Sequence, residues 1–237
     1  MTRVLIVVTS HSWLGDDPES TGVGLQTVAA AWYSLIEADV DVVIASPRGG
    51  RPPIDPLTFG EEVETAPLTR FLTDDEAVQL FNSSLPLDDV AAGDFDAVFF
   101  AGGHGGMWDF PGNPQVQNLI RSIVEAGGYV AAVCHGVAAL CDDHDHSILA
   151  GRRVTGLTTQ KESLLERDEV VPFLIQDRIL HSGGIFVEAD PFAPHVVEDG
   201  QLITGQNMRS TDLVVRALLD RLSLRQAATT ADVFTQP

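Results

Sequence analysis

An α/β fold, with a mostly parallel sheet doubly wound by helices on both faces, is what the sequence predicts, and three observations predict it. Short apolar runs bounded by turn residues alternate with amphipathic stretches along most of the chain. At 237 residues and 44% hydrophobic content, the chain can bury the core of one large domain, taken here as residues 1–224. Two of the apolar runs end directly in turns rich in small residues, where open parallel sheets place their sites.

In order, residues 4–8 (VLIVV) form a first buried strand, and their five apolar residues are too few for a signal-peptide core or a bilayer span. Residues 25–38 carry apolar side chains at helical spacing, and 40–45 (VDVVIA) return to strand character. Residues 46–60 are rich in Pro and Gly yet keep apolar residues, so they read as an ordered surface excursion. A short helix is predicted at 73–81, a strand at 97–100, a helix at 115–126, a strand at 129–133 and a helix at 136–140. Further strands fall at 153–155, 185–188 and 202–204, with helices at 172–181 and 211–222. Residues 225–237 lose apolar periodicity and are expected to form a flexible tail.

The formal charge of −20, from 34 acidic and 14 basic residues, opposes binding to phosphate backbones and anionic membranes, so neither nucleic acid nor membrane is an expected partner. The two cysteines, Cys134 and Cys141, form no CxxC, which argues against a disulfide framework or structural zinc and fits a reducing cytoplasm.

In AVCHG, Cys134 lies between a strand and a helix, with Ala132 and Gly136 at minus two and plus two. This is the spacing of a nucleophile elbow, where bulky flanks would collide with the neighbouring strand and helix. Free N–H groups at a helix start favour the thiolate, the nucleophilic form. A cysteine packed as a small hydrophobe is the alternative that the pentapeptide leaves open. Cys141 reads as core. The Gly-Gly-His-Gly-Gly turn around Gly102, Gly103 and His104 suits an oxyanion hole or an ordinary tight turn, and lacks the Lys of a P-loop. Glu162 is placed to orient an imidazole or to face solvent. The His- and Asp-rich stretch at 142–146 matches no metal-ligand spacing, so no metal is assigned.

The segments FDAVFFAGGHGGMWDFPGNPQVQNLI, GGYVAAVCHGVAAL, AGRRVTGLTTQKE, VVPFLIQD and PHVVEDGQLITGQN resemble the ThiJ/PfpI superfamily. They are most similar to its branch of glutathione-independent glyoxalase III enzymes and heat-shock chaperones, with an elbow shared by class I glutamine amidotransferases. The resemblance implies a flavodoxin-like sheet, a homodimer, no cofactor and a small carbonyl substrate. It implies Cys134 as nucleophile, His135 as general base or acid, Glu162 as the residue orienting His135, backbone N–H groups near Gly103 and His135 for an oxyanion, and His104 in the pocket wall. Glutamine amidotransfer is not expected, because the later His-x-Glu motif is absent.

One departure stands out: counting from Thr21 and Gly22, the family's catalytic glutamate falls on Thr27. A threonine hydroxyl is far too weak an acid to shuttle protons near neutrality. Gly24 replaces a bulky residue and would widen that side, while Asp16 and Asp17, in the loop after the first strand, read either as a solvated acidic loop or as a substitute for the lost carboxylate. The expected functions are therefore glyoxalase III-like conversion of methylglyoxal to lactate, hydrolysis or hydration of another small electrophile at the same site, or a stress-chaperone or cysteine redox-sensor role.

Overall fold

The computed structural model describes residues 1–16, 19–60, 65–142 and 148–235, with side chains to residue 227. Its strands are β1 (Arg3–Val7), β2 (Asp41–Ser46), β3 (Leu85–Pro86), β4 (Ala97–Phe100), β5 (Tyr129–Val133), β6 (Arg153–Val154), β7 (Ile185–Phe186), β8 (Val196–Asp199) and β9 (Leu202–Gly205). Seven of them form one sheet in the order β3-β2-β1-β4-β5-β9-β8. All neighbours are parallel except β8 and β9. Leaving out the two edge strands, the remaining order corresponds to 2-1-3-4-5, the flavodoxin-like winding.

Register explains how the middle of the sheet is filled. Ile6 on β1 stands opposite Ile44 and Phe99, Phe99 opposite Ala131, and Ala131 opposite Ile203. All five are buried, as strands covered on both sides require. The helices are α1 (Leu25–Ile36), α2 (Ala66–Leu72), α3 (Asp75–Asn82), α4 (Gly106–Asp109), α5 (Pro114–Glu125), α6 (Thr159–Leu164), α7 (Ile175–His181) and α8 (Thr211–Thr235). α1 packs on α8, and α8 on β5 and β9, while α5 packs on β4 and β5. The crossovers carrying α1 and α5 run outward from β1 in opposite directions, so a right-handed connection places them on opposite faces.

Several elements depart from the sequence expectation. β3 and β8 extend the sheet at its edges. The strands expected at 153–155 and 185–188 pair with each other as β6 and β7, outside the main sheet. α2, α4 and α6 are additional; Thr65 and Thr158 cap α2 and α6 by accepting backbone N–H bonds from Leu68 and Lys161. The segment expected as a helix at 136–140 is a 3₁₀ stretch, Cys134–Leu140. The last helix runs on to Thr235, through the region expected as a tail. Residues 225–231 (RQAATTA) include Arg, Gln and Ala, strong helix formers, and no Gly or Pro breaks the helix before Pro237. Among the described residues, no helix is long and apolar enough to cross a membrane.

Candidate functional site

The carboxyl ends of the central strands converge on a cavity of about 400 Å³. Gly24 enters it from the segment after β1, Gly103 and His104 from that after β4, Cys134 and His135 from that after β5, and Asn207 and Met208 from that after β9. This is where an open parallel sheet leaves a crevice between its diverging loops.

Cys134 follows β5 directly and has φ +57, in the left-handed region. A non-glycine residue there costs roughly 1–2 kcal/mol, so the surrounding packing must impose it. That packing is visible on both flanks. Ala132 is fully buried in the middle of the sheet, opposite Phe100 and Thr204. A Cβ on Gly136 would lie 2.4 Å from the Phe100 carbonyl oxygen and 2.6 Å from that of Ala101. Backbone contacts therefore hold position 136 to glycine, and complete burial within the sheet leaves little room for a larger residue at 132, as the elbow spacing predicts.

The left-handed turn also brings consecutive side chains together. Cys134 Sγ lies 3.5 Å from His135 Nδ1, and His135 Nε2 lies 2.8 Å from Glu162 Oε2. The other oxygen of Glu162, Oε1, is 2.9 Å from His104 Nε2. His104 Nδ1 in turn is 3.6 Å from Asp55 Oδ2, and the two imidazole rings are 3.9 Å apart. The result is a buried chain of thiol, imidazole, carboxylate, imidazole and carboxylate.

Electrostatics couple these groups. Burial alone would disfavour a charged His135, but Glu162 and the Cys134 sulfur outweigh it and hold its pKa well above the usual imidazole value. Burial would likewise raise Glu162, yet His135 and His104 pull it far below the ordinary carboxylate range. Asp55 is also buried, and His104, the Leu57 backbone N–H and the Thr21 hydroxyl together keep it low. The acid forms of both carboxylates are thus suppressed.

The opposite wall, at the start of α1, is different in kind. The Thr27 hydroxyl donates to the Gly24 carbonyl at 2.7 Å and accepts from the Gly102 N–H at 3.1 Å. Its donor is spent and its acceptor engaged, so it ties α1 to the glycine turn. Gly102 thereby commits its N–H to Thr27 and stays out of the cavity lining, whereas Gly103 lines it. Gly103 has φ +120, and a Cβ there would approach the Gly22 oxygen and Gly24 nitrogen to 2.4 Å. Only glycine fits that approach.

Of the two candidate stand-ins for the lost carboxylate, the described one, Asp16, is not in the cavity lining. Asp16 lines a separate groove with Gly15, Trp108, Glu169 and Val170, and Asp17 lies outside the described residues. Among the described residues, the carboxylate in the cavity lining is Asp55, from the 46–60 excursion. Sequence reading passed over it because its signal is local: an Asp before Pro caps the 3₁₀ turn Pro56–Phe59 through Oδ1, while Oδ2 serves the site. Of the 142–146 cluster only Asp142 is described. Ligand atoms of His104, His135 and Glu162 lie within 4.8 Å of one another, and a divalent ion there would have to displace both imidazole–carboxylate bonds. Cys141 is fully buried, in keeping with a core role.

Known proteins share this arrangement of elements. The structure of Rapid Encystment Protein 24 kDa from Francisella tularensis superposes with a TM-score of 0.88 at 34% identity, covering 93% of this chain and 98% of that one. Glyoxalase III from Candida albicans gives 0.82 at 21% identity over 92% and 96% of the two chains, a likeness of fold. Among curated sequences, a probable glutathione-independent glyoxalase of Schizosaccharomyces pombe is 34% identical over 157 residues, 62% of this chain and 60% of its own length. A second from the same yeast, 34% identical over 57% of this chain, is covered over 64% of its length, so the chain spans under two thirds of both relatives. The sequence model of the DJ-1/PfpI family matches residues 25–221. With four fifths of its length inside that match, the chain belongs to the DJ-1/PfpI family.

Proposed function

We propose that the protein is a glutathione-independent glyoxalase-type enzyme, converting a 2-oxoaldehyde and water to a 2-hydroxy acid at Cys134. The observation that carries this reading is the Cys134–His135–Glu162 contact at 3.5 and 2.8 Å, opening into a cavity that a small carbonyl compound can enter. The cysteine thiolate adds to the aldehyde carbon, and the carbonyl electron pair moves onto oxygen, which takes a proton from the His135 imidazolium. Neutral His135 then removes the hydrogen on that carbon while the neighbouring ketone oxygen is protonated, giving an enediol. Return of a proton to the former ketone carbon, with loss of one from the other hydroxyl, leaves a thioester. Water adds to it, the carbon–sulfur bond breaks, and acid and thiolate are released. Glu162 supports both protonation states of His135 by holding its ring in place.

Thr27 favours a second reading. With its hydroxyl committed at both ends, the α1 wall offers no group for the carbon-bound proton, and thioester or ester hydrolysis needs none. One experiment separates the two: lactate formed from methylglyoxal without glutathione, by native protein and Cys134→Ser. The expected result is turnover that falls by about a thousandfold or more in the variant. Lactate formation undiminished in Cys134→Ser would sink both readings. No lactate from native protein, with one-to-one acylation of Cys134 by p-nitrophenyl acetate, would leave only the hydrolase.

A further inference from the structure

The cavity is much larger than a three-carbon aldehyde needs. About 400 Å³ lies in the range of sites that enclose drug-sized ligands, and the walls are zoned. Cys134, His135 and His104 form the buried end. Leu57, Leu157, Leu165, Phe192 and Met208 give an apolar middle, and three of these remain open to solvent: Leu57 at 46%, Phe192 at 49% and Met208 at 36% exposure. Large apolar side chains held open around a cavity are available for a ligand's apolar body.

The charges in the lining run against the rest of the molecule. In a chain of 34 acidic and 14 basic residues, the single lysine, Lys161, and an exposed arginine, Arg209, both line this cavity. The Lys161 ammonium stands 3.7 Å from the centroid of the Phe192 ring, so it is placed against the apolar wall. Among the described residues, Asp55 is the acidic one in the lining, and its carboxylate is taken up by Thr21, the Leu57 N–H and His104. Gln26 adds a further mark of a ligand: it is buried, lines the cavity, and its Oε1 has no partner, an acceptor open to a hydroxyl or N–H.

Resting on the aldehyde-converting reading of the site, we infer that its substrate class is an anionic, apolar-bodied aldehyde. Its carbonyl carbon reaches Cys134, its apolar or aromatic body lies along Leu57, Phe192 and Met208, and its anionic group is held by Lys161 and Arg209. Among the described residues, the two cations of the rim would also draw such a substrate in.

The test compares methylglyoxal, phenylglyoxal and 4-carboxyphenylglyoxal as substrates of native protein, Lys161→Gln and Arg209→Gln. The expected kcat/KM order for native protein is carboxyphenyl, then phenyl, then methyl. The ratio of carboxyphenyl to phenyl should fall about tenfold in the double variant and in 0.5 M NaCl. Acetylating the sole lysine of folded native protein should lower the same ratio without mutation. A ratio unmoved by these changes, or methylglyoxal as the best substrate, overturns the inference. If none of the three aldehydes reacts, the glyoxalase reading has failed, and the mouth is still read through alkylation of Cys134. The rate ratio of iodoacetate to iodoacetamide should then be about fivefold higher in native protein than in the double variant. Equal ratios reject the anion-binding mouth whatever the chemistry.

Discussion

The two walls of the cavity, a few ångströms apart, are built on opposite plans. Along one, from Cys134 to Asp55, every side chain is titratable and each carboxylate is matched by an imidazole. Along the other, Gly24, Gln26 and Thr27 present no titratable group, and the Thr27 hydroxyl is consumed by the backbone. On the proposed function, the difference teaches that proton traffic belongs to one wall while the other fixes the position of the glycine turn. It also means that similar losses of a single polar group should have very different consequences on the two sides.

The largest effect should follow from Glu162→Gln. Removing one partner of a buried ion pair costs about 3–5 kcal/mol, and with His135 unoriented, turnover should drop by about a hundredfold or more. The pH dependence carries a sign. Glu162 is held below its ordinary 4.5, so its contribution is complete above that value and is lost as the pH falls through and beneath it. His135 is held above its ordinary 6.5, so its contribution is complete below that value and is lost as the pH rises through its higher folded value. The native advantage in thermal unfolding over Glu162→Gln should therefore be greatest between pH 4.5 and 6.5 and shrink on either side. A difference independent of pH would break the assignment of opposite charges to the pair.

A smaller effect should attend His104→Asn, which leaves Asp55 and the second oxygen of Glu162 without their shared imidazole. About 2–3 kcal/mol of stability should be lost, and the alkaline limb of the activity profile should move, because Glu162 then acts on His135 alone. An unchanged profile would reduce His104 to a packing residue. The smallest effect belongs to the opposite wall: Thr27→Val keeps the shape and removes the hydroxyl, taking from the Gly102 N–H its acceptor while the Gly24 oxygen keeps its bond from the backbone N–H of residue 27. Unfolding should be easier by about 1–2 kcal/mol, with the pH profile retained. A shifted profile would show that Thr27 takes part in proton transfer and would erase the contrast between the walls.

How much of this was legible depended on whether a residue's role is written in its neighbours. Residues 97–100 and 129–133 announced themselves as strands because each run is continuously apolar, and the small residues Ala132 and Gly136 marked Cys134, the second because backbone crowds its position. β3 and β8 were missed: the first is two residues long, and the second, VVED, mixes polarity as an edge strand can. Asp55 and His104 lie 79 and 30 positions from Cys134, and only folding joins Asp55 to His104 and His104 to Glu162. The Pro and Gly of the 46–60 excursion indicated an ordered loop. No periodicity could have shown that its Asp turns inward.

The mouth of the cavity is assembled from four stretches of chain that do not adjoin in sequence: 57–60, 161–165, 191–192 and 208–209. Cys134, by contrast, is anchored between a central strand and a glycine that backbone contacts make irreplaceable. Inheritance can thus act on selectivity and reactivity separately. On the proposed function, substitutions in any one rim segment would retune what is admitted while the reacting centre stays intact, so one ancestral thiol would serve a lineage of enzymes with divergent diets.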